Sequence, residues 1–286
     1  MNARSSPLCA LVYGLLTAAA CAQDRAQSWA IFVMNRDGSA VRRVVHIESF
    51  PTLAAPRWSH DGQRLAFEAR GQRPGRALII DTSGRNLIDL GAGAKPDWSP
   101  DDKQVLFEVP TVGRTTVWVQ NANGKGNSWL AAGSAPRWSP DGSQIAMGAP
   151  LRVLDVVTGE HQNVFAEKDN VNQTTGCDWS PDGTRLAAVV VRADGRELIL
   201  TSAKRGAGAL DVRLQAELTG APAWSPDGKQ LAVTVYDPKL EARRIHVLDV
   251  EGNDPPTPIP GQKGDNRDPA WSPDGQQIAF ASTRSP

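Results

Sequence analysis

Six aspartates stand at one position of a recurring segment: Asp61, Asp101, Asp141, Asp182, Asp227 and Asp274. Convergent carboxylates are the usual ligands of calcium, which takes roughly six to eight oxygens at ~2.4 Å. Here each aspartate sits in a Ser-Pro-Asp-Gly type of turn, and facing sheets pack about 10 Å apart. Carboxylates from separate repeats therefore do not share an ion, and the reading is six local turn caps with no metal and no other cofactor. The histidines His46, His60, His161 and His246 fall at unrelated repeat positions without zinc-ligand spacing. No Gly-x-Ser-x-Gly elbow is present to carry a nucleophilic serine. Gly91-Ala92-Gly93 and Gly206-Ala207-Gly208 lack the remainder of a dinucleotide fingerprint and read as turns. No catalytic residue is expected.

One charged series is more informative. The residues before six repeated tryptophans are Arg57, Asp97, Arg137, Asp178, Ala223 and Ala270. If this position faces a central channel, four successive units present alternating charge and two present methyl groups. Such a ring could be a belt of mutually neutralising ion pairs, or an asymmetric funnel for a polar peptide or small ligand. Both remain open, and the four charged residues are the candidate channel and partner-binding positions.

The elements that position them are written six times. Pro136-Arg137-Trp138-Ser139-Pro140-Asp141-Gly142 has counterparts around Trp58, Trp98, Trp179, Trp224 and Trp271. Successive tryptophans are 40, 40, 41, 45 and 47 residues apart, the period of a propeller or other repeat array. Ser-Pro-Asp-Gly suits a type I turn, with proline setting φ at its second position and glycine taking φ > 0 at its end. Two copies depart: His60 replaces the proline and Asp102 the glycine. Cys177 takes the proline position ahead of Trp179 and reads as a small buried hydrophobe. A short apolar strand follows each turn, so each tryptophan lies on a hairpin and is expected to pack between sheets as repeat core.

Second hairpins alternate with these, their turns at Asp37-Gly38, Ser83-Gly84, Asn123-Gly124, Thr158-Gly159, Gly206-Gly208 and Glu251-Gly252. The chain starts with a second hairpin and ends with a tryptophan hairpin. Pairing those two half-units makes a sixth four-stranded sheet and closes a ring. The expected fold is all-β: a single six-bladed β-propeller over residues 23–286, stitched by its own ends. Loops of the face opposite the Ser-Pro-Asp-Gly turns, such as 68–76, 236–243 and 261–267, are longer and mixed in charge, which suits a protein surface.

Residues 1–22 read as a secretory signal peptide: Arg4, an apolar run too short to span a bilayer, then small residues. Ala18-Ala19-Ala20-Cys21 resembles a bacterial lipobox, so Cys21 is the candidate lipidation site, with plain cleavage to a soluble form the other outcome. With 31 basic and 31 acidic residues, the chain shows no electrostatic footprint for nucleic acid. No transmembrane helix is expected in the mature chain.

The Pro-x-Trp-Ser-Pro-Asp-Gly repeat with its alternating hairpins, over residues 28–284, resembles the WD-like repeat of the TolB β-propeller family. The passage from leader to first hairpin leaves no space for the N-terminal α/β domain that TolB carries. The resemblance implies a periplasmic, non-catalytic propeller that binds an envelope protein at its channel mouth, in the relative a peptidoglycan-associated lipoprotein. The alternative is a propeller enzyme or carbohydrate-binding protein, a lyase or hydrolase working at the channel.

Overall fold

The computed structural model describes residues 28–71, 74–148, 150–165, 171, 173–193, 195–203, 211–252 and 254–285. The leader 1–22 with Cys21, and the turn at 206–208, lie outside them. The described residues hold 24 strands in six four-stranded antiparallel sheets and contain no helix. Blade I is β3(Thr52–Trp58), β4(Arg64–Arg70), β5(Arg76–Asp81) and β6(Ile88–Ala92). Blade II is β7(Ala94–Trp98) to β10(Ser128–Ala132), blade III β11(Ser134–Trp138) to β14(His161–Asn163). Blade IV is β15(Gln173–Trp179) to β18(Asp211–Gln215), blade V β19(Leu218–Trp224) to β22(Thr257–Pro258).

Blade VI joins the two ends of the chain in the order β2(Arg42–Val45), β1(Ala30–Asn35), β24(Gln277–Ser282), β23(Asn266–Trp271). β1 and β24 pair over six residues, from Ala30↔Ser282 to Asn35↔Gln277. This is the closure that the two half-units imply, and it leaves no free blade edge facing a gap in the ring.

Apolar residues alternate with near-complete burial on both faces of the middle strands, because each blade is covered on each side by a neighbour. The core is accordingly six interblade layers. Phe67, Leu78 and Ile80 of blade I meet Ile31, Val33 and Ala279 of blade VI; Trp98 and Phe107 of blade II meet Ala66 and Ile79 of blade I. The repeated tryptophans sit in these layers, each such burial contributing roughly 1.5–3 kcal/mol.

Each Ser-Pro-Asp-Gly turn closes on itself. Ser139 Oγ donates to Asp141 Oδ1 at 2.6 Å, the Ser143 amide donates to the same oxygen at 3.0 Å, and the Gly142 amide donates to Ser139 O at 2.9 Å. The serine-aspartate bond recurs in all six turns at 2.5–2.7 Å. At Asp141 the Ser139 hydroxyl is the main cause holding the carboxyl below its ordinary range. The six aspartates are therefore occupied as local caps.

The two irregular turns meet one another. Elsewhere a turn glycine lies against the proline of the preceding blade; a methyl on Gly142 would sit 3.5 Å from Pro100, and one on Gly183 3.7 Å from Pro140. Between blades I and II that pair is replaced by Asp102 and His60. Unlike proline, His60 has an amide, which donates to Asp102 Oδ1 at 2.8 Å, while the Asp61 amide donates to Oδ2 at 2.8 Å. His60 Nδ1 lies 3.1 Å from Oδ1. The two departures from the repeat compensate each other. His60→Pro should destabilise by about 0.5–1.5 kcal/mol, the net worth of a hydrogen bond, and Asp102→Gly by less, because glycine relieves the positive φ of 56° at that position. The double variant rebuilds the common pair and should fall near wild type, a coupling of ~0.5–3 kcal/mol in a urea double-mutant cycle. Additive losses would show the two sites to be independent.

Candidate functional site

The innermost strand of every blade carries one irregularity, just before its tryptophan. Register shifts fall between Ala54/Arg57, Ala94/Asp97, Ser134/Arg137, Thr174/Gly176, Thr219/Ala223 and Arg267/Ala270. In four blades the bulge residue is non-glycine with positive φ: Ala55 (48°), Lys95 (50°), Ala135 (49°) and Asp268 (55°); in blade V it is Gly220 (73°). Such bulges re-aim the side chains that follow them, and these turn the residue before each tryptophan toward the axis.

The four charged candidates do converge. Arg57 Nε lies 3.9 Å from Asp97 Oδ1, and its Nη2 reaches 3.5 Å from Asp178 Oδ1. Asp178 belongs to blade IV, opposite blade I in a ring of six, so the Arg57 guanidinium crosses the channel. Each aspartate uses its other oxygen on the next blade: Asp97 Oδ2 accepts the Trp138 amide at 2.8 Å, and Asp178 Oδ2 the Trp224 amide at 2.9 Å. Arginine positions bind through the main chain instead, as Arg57 O accepts Trp98 Nε1 and Arg137 O accepts Trp179 Nε1, both at 3.1 Å. The belt is thus also an axle that ties successive blades.

Burial sets its electrostatics. Asp97 is pushed above the usual carboxylate range by desolvation, opposed by Arg137, Arg57 and the Trp138 amide. Desolvation likewise lowers Arg137, followed by repulsion from Arg57, against attraction to Asp97 and Asp178. The neighbouring Cys177, buried and free, is pushed up to about 12 by burial, so it is an inert thiol.

Arg57 divides the channel into two chambers. On the face of the Ser-Pro-Asp-Gly turns lies a chamber of about 320 Å³ with Arg57, Asp97 and Asp178 at its floor and Trp58, Trp138 and Trp271 in its wall. On the opposite, loop face lies a funnel of about 180 Å³ to which all six blades contribute, among them Arg57, Lys95, Arg137, Thr175, Thr219 and Arg267. Of the four candidates, Arg57 and Arg137 therefore line the funnel, and Arg57, Asp97 and Asp178 line the turn-face chamber.

The funnel wall contains residues that the repeat does not flag. Glu68, only 2% exposed at its side chain, pairs with Arg70; Lys95 Nζ lies 3.4 Å from Glu108. Arg243 makes a two-pronged pair with Asp265 at 2.8 and 3.1 Å, and Arg267 Nε lies 3.5 Å from Asp268. The Arg267 and Arg243 guanidinium carbons lie 4.0 and 5.4 Å from the Trp29 ring centroid, which fixes two cations at the mouth. Lys95 and Asp268 are the bulge residues three before a repeated tryptophan, whereas Glu68, Arg70, Arg243 and Arg267 stand at strand ends, within the stretches 68–76, 236–243 and 261–267 that the sequence marks as loops. Of the four histidines, His60 alone lines either chamber, and it is tied to Asp102. Among the described residues no group of three His, Cys, Asp or Glu side chains could hold a metal ion, and no helix is long and apolar enough to cross a membrane.

The TolB beta propeller domain model matches residues 150–286. No curated protein matches the sequence. Among solved structures, TolB from Acinetobacter baumannii superposes with a TM-score of 0.72 at 16% identity, covering 86% of this chain and 66% of that one. The chain thus spans just under two thirds of that relative. A TolB-type structure from Agrobacterium tumefaciens gives 0.72 at 18% identity, covering 89% and 98%. Oligogalacturonate lyase from Vibrio parahaemolyticus gives 0.55 at 11%, covering 89% and 97%, a likeness of fold alone. Six four-stranded blades closed by their own ends make this chain a six-bladed β-propeller, and its Pro-x-Trp-Ser-Pro-Asp-Gly turns and the family match over residues 150–286 make it similar to the TolB propeller.

Proposed function

We propose that the protein is an exported, non-catalytic scaffold that docks an envelope protein at its loop-face funnel. The observation that supports this most is the funnel itself, ringed by all six blades and stopped at its floor by Arg57. A segment inserted from the loop face meets a rim of Arg70, Lys95, Arg243 and Arg267 and ends against the belt. Docking surfaces commonly ride on the loops of a rigid scaffold. The leader-like residues 1–22 favour export, the TolB likeness suggests the periplasm as the compartment, and Cys21 is where a lipid would hold the mature chain to a membrane. A peptidoglycan-associated lipoprotein-like protein is the partner class that the TolB likeness suggests.

The test is capture from envelope extract by the wild type, by Arg70→Glu/Lys95→Glu on the funnel rim, and by Lys103→Glu on the opposite face. Lys103 is 80% exposed at its side chain and serves as the control. The same partner should be recovered by wild type and by the control, and lost from the rim variant. Equal recovery by all three removes the funnel as the docking site.

A further inference from the structure

Arg57 is the partition of the channel, yet its side chain makes no hydrogen bond among the described residues. Its two ion pairs, at 3.9 Å to Asp97 Oδ1 and 3.5 Å to Asp178 Oδ1, are longer than hydrogen bonds. Each aspartate gives Oδ2 to an amide of the next blade, and its Oδ1 accepts from no group among the described residues. All three side chains are open to contact, 12% of Arg57, 16% of Asp97 and 17% of Asp178 being exposed. None of their atoms belongs to the shielded ones that lack a partner, so the guanidinium and both Oδ1 atoms have surface that a ligand can touch. Asp97 and Asp178 line the turn-face chamber and not the funnel, which places that surface at the chamber floor.

The make-up of the chamber narrows its ligand. Above the polar floor the walls are apolar, with Trp58 and Trp138 half-buried and Pro140, Pro181 and Pro226 beside them. Apolar, aromatic walls with a few convergent polar groups are the common build of a small-ligand pocket. Arg57 and Arg137 together balance Asp97 and Asp178, so the floor carries no net charge to hold an ion. An ammonium brought to it meets Arg57, and a carboxylate meets both aspartates. A hydroxyl suits both, because it accepts from the guanidinium and donates to a carboxylate at once. Separate waters do the same, but a ring bearing several hydroxyls serves both ion pairs for the ordering of one molecule, and its C–H faces match indole and proline. We propose that the turn-face chamber binds a neutral sugar, one pyranose whose hydroxyls bridge Arg57 to Asp97 and to Asp178. A volume of about 320 Å³ is roughly ten times the ~30 Å³ share of one water, which admits such a ring, and the Arg57 floor stops a longer chain from threading through. The ligand is thus a free monosaccharide or the end of a glycan.

This site lies across the Arg57 partition from the funnel, and its failure leaves the docking reading untouched. The experiment titrates the protein with D-glucose, D-galactose, D-mannose and N-acetyl-D-glucosamine, followed by NMR of the Arg57 Nε–H signal. Glucuronate, glucosamine and acetyl-Gly-Ser-Gly-amide are the competing probes: an acid, an amine and a hydroxyl carried by a peptide. At least one neutral sugar should shift the signal saturably and bind several-fold tighter than all three competitors. A monodeoxy form of that sugar that lacks a bridging hydroxyl should bind ~2- to 10-fold more weakly, the range of one net hydrogen bond. Asp178→Asn, which keeps a carbonyl for the Trp224 amide, should weaken the parent sugar by a similar factor; the deoxy series reads the same contact on unaltered protein. Equal affinity for a disaccharide that ends in the sugar assigns a glycan end, and loss with the disaccharide assigns the free sugar. No saturable shift with any neutral sugar up to its solubility leaves the floor a place for ordered water only and overturns the site. Tighter binding of a competitor, or full affinity in every monodeoxy form, overturns it as well.

Discussion

Phe280→Ala is expected to lower the unfolding free energy by about 3–5 kcal/mol, the range for deleting a buried phenylalanine ring. Phe280 is fully buried in β24 and pairs with Phe32 of β1, ring centroids 5.9 Å apart. Two features meet at this site, the first setting the size of the loss and the second where it is felt. The first is the cavity. The second is that β1 and β24 are the seam at which the chain's two ends hold the ring shut. Phe107→Ala in blade II, equally buried at 1% exposed, opens a similar cavity inside a blade that is continuous in sequence. The two variants should thus lose similar stability in urea, but only Phe280→Ala should release the β1 amides to hydrogen exchange below the global unfolding barrier. A loss under ~1 kcal/mol, or β1 protection equal in the two variants, would rule out the seam as the weak point.

Sequence made some of this legible and hid the rest for physical reasons. The tryptophan hairpins are local devices: each turn satisfies its own serine, aspartate and glycine, so each copy can be read alone. Ring closure follows from having a half-unit at each end. The alternation Arg57, Asp97, Arg137, Asp178 was equally visible, since the position before a repeated tryptophan repeats its direction. What each side chain reaches was not visible. Arg57 finds Asp178 by crossing the axis to a residue distant in the chain, and the bulges that aim both residues carry no common residue type. Trp29 is met by Arg243 and Arg267 only because the ends of the chain share blade VI. His60 and Asp102 look like two independent lapses from the repeat until adjacent blades bring them to 2.8 Å. Juxtaposition across blades is the common element in all of these.

Arg57→Leu is expected to cost about 3–5 kcal/mol near neutral pH, the range for removing one partner of a buried ion pair. It strips Asp97 and Asp178 of their nearest cation while both remain held by the Trp138 and Trp224 amides. They cannot swing out to water without breaking the ties between blades. Arg137 remains as a more distant counter-charge and should keep the loss from growing larger. The sign of the pH dependence separates this from mere loss of packing. Asp97 already has its pKa raised by burial, with Arg57 among the groups that oppose the rise. Without Arg57 it should rise further above the unfolded value. A carboxyl raised in this way favours the folded state while protonated, and that contribution is lost as pH rises through its folded pKa. The penalty of Arg57→Leu should therefore be largest near about pH 7 and shrink toward about pH 4 as Asp97 takes up its proton. Urea midpoints of wild type and variant at the two pH values give the comparison. A penalty unchanged between them would mean that Arg57 acts as a filler of the channel rather than as the charge that closes it.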